Sequence, residues 1–519
     1  MNSRTSGNRS KVVELAAGRE RESIGVAMPA REIAPLRSTL YARLADELKQ
    51  QILQGVFTAG QKMPSVRALS QSKKLSVNTV QEAYRQLEDE QWIVARAQSG
   101  FYVAPRLPEL AIAAQAPGST VIMRAIAETG PAAALAYRDD LIPFGAAVPD
   151  ASFFPCKRLA SGVANILRET PMLIGSYNFA PGVLDLRQQV ARRAVDWGAS
   201  VDPRRVVITN GAVEAVHLCL RAVTKPGDTV AVEAPAYYGF LQALRSLGLQ
   251  ALTIRGAGKA GFDVEALDAA ASGGKKIAAV LLSTTVSNPT GATLPLKRKR
   301  QLVDVAIRHQ IPIIEDATFA DLQFEGECQA AQGFDESGLV MLCASLTKTI
   351  APGLRIGWVD GGRFSEQIAY LKRVSSIGQP RVMELALAEY LANGGVAKHL
   401  RRTRRSLQAQ VYRMAENIER VFPAGTVATL PSGGFLLWIE LPGQVDALVL
   451  QERAIELGIG VAPGVLFSPH GEYRNCIRLN CGIPDSPRAK NGLLCLGRLV
   501  EQLASSAIEG SPSLTPPRD

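Results

Sequence analysis

From residue 141 to residue 505 the chain repeats one pattern, a short run of β-type apolar residues followed by a helical stretch. The clearest runs are Val206 to Thr209, Thr229 to Glu233, Ala278 to Ser283, Ile311 to Glu315 and Val340 to Ala344. Strands that are apolar throughout must be covered on both faces, and a helix between successive strands returns the chain to the same edge. The pattern therefore predicts an α/β domain with a mainly parallel central sheet. Such sheets bind ligands beyond the carboxyl ends of their strands, so the residues that close each run are the first candidates for chemistry.

Those residues are of unusual types. Asp316 follows an apolar strand directly, where a carboxylate can pair with a protonated ring nitrogen and keep a pyridine cofactor an electron sink. Lys348, in Ser345-Leu346-Thr347-Lys348, stands just beyond another strand, where an amine can form a Schiff base with an aldehyde. Gly211 and Ala212 open a helix after Val206 to Thr209, and the amides of such a turn make a phosphate seat, to which Ser345 and Arg355 can add a hydroxyl and a guanidinium fork. Tyr237 can stack on a ring, and Asn288, in Ser287-Asn288-Pro289-Thr290-Gly291, can donate its amide to a phenolic oxygen. Taken singly, each also reads as a cap, a turn or a surface charge; the ordered set is what points to one site.

The N-terminal part has a different grammar. Leu40, Leu44, Leu48 and Ile52 make the apolar stripe of a first helix that Gly55 closes. Ser65 caps a short second helix, and Ser76 caps a third over Val77 to Asp89, with Val77, Val80, Tyr84 and Leu87 inward and Asn78, Thr79, Gln81 and Arg85 outward. Trp92 to Ala95 and Phe101 to Val103 read as a hairpin turning through Arg96-Ala97-Gln98-Ser99-Gly100. Three helices and a basic-tipped hairpin form a winged helix-turn-helix. Charge agrees: residues 1–106 hold 16 Lys/Arg against 10 Asp/Glu, so that fifth of the chain carries +6 of the total +10 and suits a polyanion. Arg67, Lys73, Lys74 and Arg96 are expected at phosphates, with Ser76, Asn78, Thr79 and Gln81 on the reading helix.

Two resemblances follow. The stretch Tyr41 to Val103, with Pro-Ser-x-Arg-x-Leu, Ser-x-x-Thr-Val-x-x-Ala-Tyr and Ser-Gly-x-x-Val, resembles the DNA-binding domain of GntR-type regulators. Residues 141–505 resemble fold-type-I enzymes of the aminotransferase class, which use pyridoxal 5'-phosphate (PLP). That likeness implies Lys348 as the aldimine lysine, Asp316 at the pyridinium, Asn288 at the ring hydroxyl, Tyr237 stacked, and Gly211, Ala212, Ser345 and Arg355 at the phosphate. It further implies that Tyr177 reaches the phosphate of a neighbouring subunit, and that Arg478 grips an α-carboxylate. One residue departs from the pattern: where the family has a tyrosine three positions after the aspartate, this chain has Phe319, which cannot hydrogen-bond the ring oxygen.

Head and body together resemble MocR-type transcription regulators. The expectation is a homodimer that binds a double-stranded DNA operator and senses PLP or a small amino-compound effector through aldimine chemistry. The alternative is a working PLP-dependent aminotransferase with a DNA-binding head. The expected organisation is a basic tail (1–37), a winged helix-turn-helix (38–105), an Ala/Pro-rich linker with some helix near Val121 to Glu128 (106–140), the PLP-binding domain (141–505) and a C-terminal tail (506–519). Seven scattered cysteines, none in CxxC or zinc-ligand spacing, fit reduced thiols and no metal site. With no apolar run of membrane-spanning length and no secretory signal pattern, a cytoplasmic location and no membrane partner are expected.

Overall fold

The computed structural model describes residues 40–53, 56–58, 60–90, 92–96, 99–104, 121–122, 138, 140–256 and 261–509; the two tails, Gly55 and most of the linker lie outside them. Two compact units emerge, Met1–Pro108 and Glu109–Asp519.

In the first unit, α1 (Leu40–Leu53), α2 (Val66–Lys73) and α3 (Val77–Asp89) precede a hairpin of β1 (Ile93–Arg96) and β2 (Gly100–Val103). Leu44, Leu48, Leu69, Val80, Tyr84, Leu87 and Ile93 form its core. Burying each of the large aliphatic members contributes about 1.5–3 kcal/mol before entropy is charged against it. The Tyr84 hydroxyl donates to the Pro64 carbonyl at 2.7 Å, and its ring meets Phe101 edge-on at 5.0 Å, tying α3 to the hairpin. Two inward expectations fail at helix starts, where Leu40 is 61% and Val77 45% exposed. Each stands in the first turn of its helix, where no preceding turn covers it.

In the second unit, the large sheet runs β3 (Val121–Ile122), β6 (Gln250–Arg255), β5 (Thr229–Ala234), β7 (Ile277–Leu282), β8 (Ile313–Asp316), β9 (Val340–Ser345), β10 (Gly357–Asp360) and β4 (Val206–Thr209). The five strands from β6 to β9 in that order are parallel, while β10 and β3 run against their neighbours. Residues 121–122 were expected to be helical; they add an edge strand instead, pairing Val121 with Thr253 and Ile122 with Leu252. An unpaired edge of β6 satisfies its backbone groups by recruiting any β-branched pair that reaches it. β4, β7, β8 and β9 are buried nearly throughout, as a sheet covered on both faces requires. A second, four-stranded antiparallel sheet of β11 (Val427–Thr429), β12 (Leu436–Glu440), β14 (Cys476–Asn480) and β13 (Ala462–Pro463) follows the 26-residue helix Val396–Val421.

Candidate functional site

Six strands, the five parallel ones and β4 across β10, end on one side of the large sheet, and residues near those ends line a cavity of about 170 Å³. Lys348, Asp316, Asn288, Tyr237, Ala212 and Arg355 all line it. Six positions scattered from 212 to 355 are thus brought together by topology alone.

Asp316 is the last residue of β8, and its Oδ1 accepts from the Thr318 amide at 2.9 Å and from the Thr318 hydroxyl. Burial pushes its carboxyl above the usual carboxylate range, against the pull of the Thr318 hydrogen bonds and the positive charge of Lys348. Lys348 follows β9 by three residues, and its Nζ donates to the Ala147 carbonyl at 2.7 Å. Burial first, then the charges of Arg478 and Arg355, lower its ammonium to about 8, so near neutral pH an appreciable share is free amine.

The phosphate-type seat is built at Gly211, the first residue of the helix Gly211–Val223. Its φ of +73° favours glycine, and a Cβ there would come within 2.6 Å of Nη2 of Arg355. Arg355 itself adopts a left-handed conformation at φ 54° and reaches the Asn210 carbonyl at 3.5 Å. Ser345 buttresses the seat; its Oγ lies 2.7 Å from the hydroxyl of Thr347, and it is Thr347 that faces the cavity. Behind the turn, Glu214 accepts from the Asn210 amide at 2.6 Å and pairs with fully buried Lys372 at 2.7 Å.

Arg478, on β14, is fully buried. It donates to Asn288 Oδ1 at 3.1 Å and to the Gly145 carbonyl at 2.6 Å, its guanidinium carbon lies 5.0 Å from the centre of the Phe467 ring, and its Nε has no partner. Among the described residues no carboxylate pairs with it. The bond to Asn288 turns that amide's oxygen toward the arginine and leaves its NH2 as a donor. Phe319 also lines the cavity and packs on Phe435 at 5.5 Å. Tyr177 is not part of this group; it is 75% exposed, stacked on Phe179 at 6.0 Å.

Several residues of the cavity had no sequence argument: Thr347, Thr318, His217 and Ala147. Thr347 and Thr318 flank expected residues and were within reach of a closer reading. Ala147 was not, because a backbone carbonyl 201 positions from its lysine leaves no mark in side-chain pattern.

On the head, Ser76 caps α3 through the Thr79 amide, and Asn78 and Gln81 project from its exposed face. Thr79 is half-buried with its hydroxyl 2.8 Å from that of Ser76, which occupies it locally. Arg67 and Lys74 are exposed, whereas Lys73 is ion-paired with Glu47. Arg96 closes β1; its side chain lies outside the described residues. Among the described residues no His/Cys/Asp/Glu group could hold a metal ion, and no helix is long and apolar enough to cross a membrane.

Comparison with known proteins agrees with both halves. Residues 164–490 match the family model for aminotransferase class I and II, and residues 40–103 the model for bacterial regulatory proteins of the gntR family. The chain is similar to the uncharacterized HTH-type transcriptional regulator YjiR of Escherichia coli (strain K12), with 36% identity over 89% of this chain and 99% of that one. It is 29% identical to the 2-aminoadipate transaminase of Thermus thermophilus, over 71% of this chain and 92% of that one. Among solved structures it is similar to the kynurenine aminotransferase of Pyrococcus horikoshii, with a TM-score of 0.67 and 27% identity, covering 73% of this chain and 95% of that one.

Proposed function

This chain belongs to the aminotransferase class I and II family and carries a gntR-family head, and from that premise we propose that it is a DNA-binding transcription regulator whose body binds PLP and responds to an amino compound. The observation that carries the reading is the coexistence, on one chain, of a gntR-family head and a cavity lined by Lys348, Asp316, Asn288, Tyr237, Ala212 and Arg355.

The fit is chemical. A buried Asp316 lining the cavity suits a protonated ring nitrogen, and a glycine seat under Arg355 suits a dianionic phosphate. When bound, PLP supplies an aldehyde that condenses with amines and a ring that accepts electrons. Lys348, whose ammonium is lowered to about 8, would hold the cofactor through its amine, and when not so engaged it can take up or give a proton within the cavity. Asn288, its Oδ1 held by Arg478, would donate its amide to the ring oxygen. Tyr237 would stack on the ring face, and Ala212, Thr347 and Arg355 would hold the phosphate, Arg355 supplying the positive charge with Ser345 behind Thr347.

Arg478, fully buried behind the cavity lining and bonded to Asn288, which lines it, is the group that would select an effector. A buried guanidinium with no carboxylate partner favours a ligand that carries one, so the effector is an amino compound with a carboxylate. Phe319 offers no hydroxyl to the ring oxygen, which favours binding over turnover. The second reading, a working aminotransferase, draws on the same retention of Lys348, Asp316 and Arg478.

The regulator acts as a homodimer in the cytoplasm. Met172, Ile174, Tyr177 and Phe179, close in sequence, each expose a large apolar side chain that a second copy would cover, with Tyr177 completing the partner's phosphate seat. Each head presents Arg67, Lys74 and the wing to operator phosphates, and Asn78 and Gln81 to base edges. Titrating a panel of amino compounds against the bound-cofactor absorbance, and then repeating operator binding with each one that reacts, tests the reading. Spectral change with no effect on DNA binding would favour the enzyme.

A further inference from the structure

Residues 390–415 contain no Asp or Glu, yet hold Lys398, Arg401, Arg402, Arg404, Arg405 and Arg413. Most of this stretch forms the helix Val396–Val421, held to the body by a buried stripe that includes Leu400, Thr403, Leu407 and Val411. At 3.6 residues per turn, Lys398, Arg401, Arg402 and Arg405 fall within an arc of about 100° on the opposite face. All four are exposed. Several other arginines of the body are neutralised where they stand: Arg204 by Asp202, Arg308 by Asp268, Arg298 by Glu265 and Arg474 by Asp446. Among the described residues none of the four on this helix has a carboxylate within 4 Å.

The stripe works against the helix that carries it. Cations in the first turns face the positive end of the helix dipole, and Lys398 with Arg402, and Arg401 with Arg405, are like charges one turn apart. The cap residue, Gly395, makes no side-chain hydrogen bond that would offset this. Arg158, exposed on the neighbouring helix Cys156–Glu169, comes within 3.1 Å of where a Gly395 Cβ would stand, which extends the positive surface past the helix start.

We propose that this stripe is a second contact surface for duplex DNA, one that takes phosphates without reading bases. The proposal rests on the DNA-binding reading of the head. A duplex held by the head stays tethered to the body by the intervening chain, so even weak phosphate contacts form at high effective concentration. The stripe from Lys398 to Arg405 covers about 10 Å of helix axis, over which one strand of a duplex carries about three phosphates. Guanidinium forks, three of the four cations, match phosphate oxygens in pairs.

The test measures the salt dependence of binding to a long random-sequence duplex by the full-length, PLP-loaded chain, with the cofactor absorbance as the control for folding. Three variants are compared with wild type: the stripe (Arg401→Gln/Arg402→Gln/Arg405→Gln), an ion-paired control (Arg204→Gln/Arg298→Gln/Arg308→Gln) and the head (Arg67→Gln/Lys74→Gln). Each lost phosphate contact removes about 0.9 from the slope of log K against log salt, so the stripe variant should lose about 2 to 3 and the control close to none. A wild-type slope in the stripe variant, or an equal loss in the control, overturns the proposal. Loss in the head variant without loss in the stripe variant leaves the head reading standing and removes this one alone; a wild type that binds no duplex removes both.

Discussion

Two lysines, one buried and one half-buried, flank the helix that opens at Gly211, and they are treated in opposite ways. Lys372, fully buried, lies 2.7 Å from Glu214 and also donates to Ser376 at 2.8 Å, so its charge is neutralised by a carboxylate that in turn holds the Asn210 turn. Lys348 has a carbonyl for a partner, two arginines for neighbours and a cavity in front of it, and its ammonium is weakened to about 8. The contrast separates structure from chemistry: an ion-paired buried charge fixes geometry, while one with no carboxylate in contact is kept reactive.

The largest effect that could break this contrast is at Lys348 itself. Lys348→Ala should abolish the borohydride-fixed PLP adduct, read as the mass increment on the Lys348 peptide, with folding retained. Lys372→Met should do the reverse, destabilising the fold by about 3–5 kcal/mol through the orphaned Glu214 while the surviving protein still forms the adduct. A full adduct in Lys348→Ala, or its loss in well-folded Lys372→Met, would dissolve the distinction.

Smaller changes sharpen it. Arg478→Met should weaken a carboxylate-bearing amino compound about 10- to 150-fold, the loss of a charge-assisted hydrogen-bonded contact worth about 1.5–3 kcal/mol, while an amine without a carboxylate is little affected; the readout is a titration of the bound-cofactor absorbance. The pH profile follows from the lowered ammonium of Lys348. Because only the neutral amine adds to an aldehyde, the rate at which apoprotein takes up PLP should rise with pH and level off above about 8. Removing the Arg478 charge should move that midpoint upward, since the arginine is one of the causes of the depression. A midpoint near the ordinary lysine value in wild type would contradict the assignment. The smallest effect is at Phe319, where Phe319→Tyr adds a hydroxyl to a ring already packed on Phe435, shifting the pH dependence of the cofactor spectrum and raising keto-acid release without altering PLP content.

How much of this was legible before folding differs by residue. Asp316, Lys348 and Gly211 close or follow apolar strands whose runs can be read off the chain, and a parallel sheet places all such ends together. The head was legible for the same reason, its caps Ser65 and Ser76 and its core leucines being local signals. What stayed hidden depends on distant partners: the Ala147 carbonyl under Lys348, the Asn288 amide on Arg478, and the Glu214–Lys372 pair. Thr347 was passed over for Ser345 because sequence distinguishes neither hydroxyl; the bond between them decides which faces the cavity. Val121 and Ile122 became an edge strand because β6 supplied open backbone groups, a cause located 130 residues away in sequence from Ile122 to its partner Leu252.

The central claim is that chemistry at Lys348 is felt at the DNA. The measurement is the affinity of the full-length, PLP-loaded protein for a selected operator, with and without the amino compound that most changes its cofactor absorbance, and with Lys348→Ala as reference. Coupling between two sites is typically about 1–3 kcal/mol, so wild type should shift about 5- to 150-fold in either direction while Lys348→Ala does not respond. An unchanged operator affinity in wild type, alongside rapid release of keto acid, would contradict the account and make the body an enzyme.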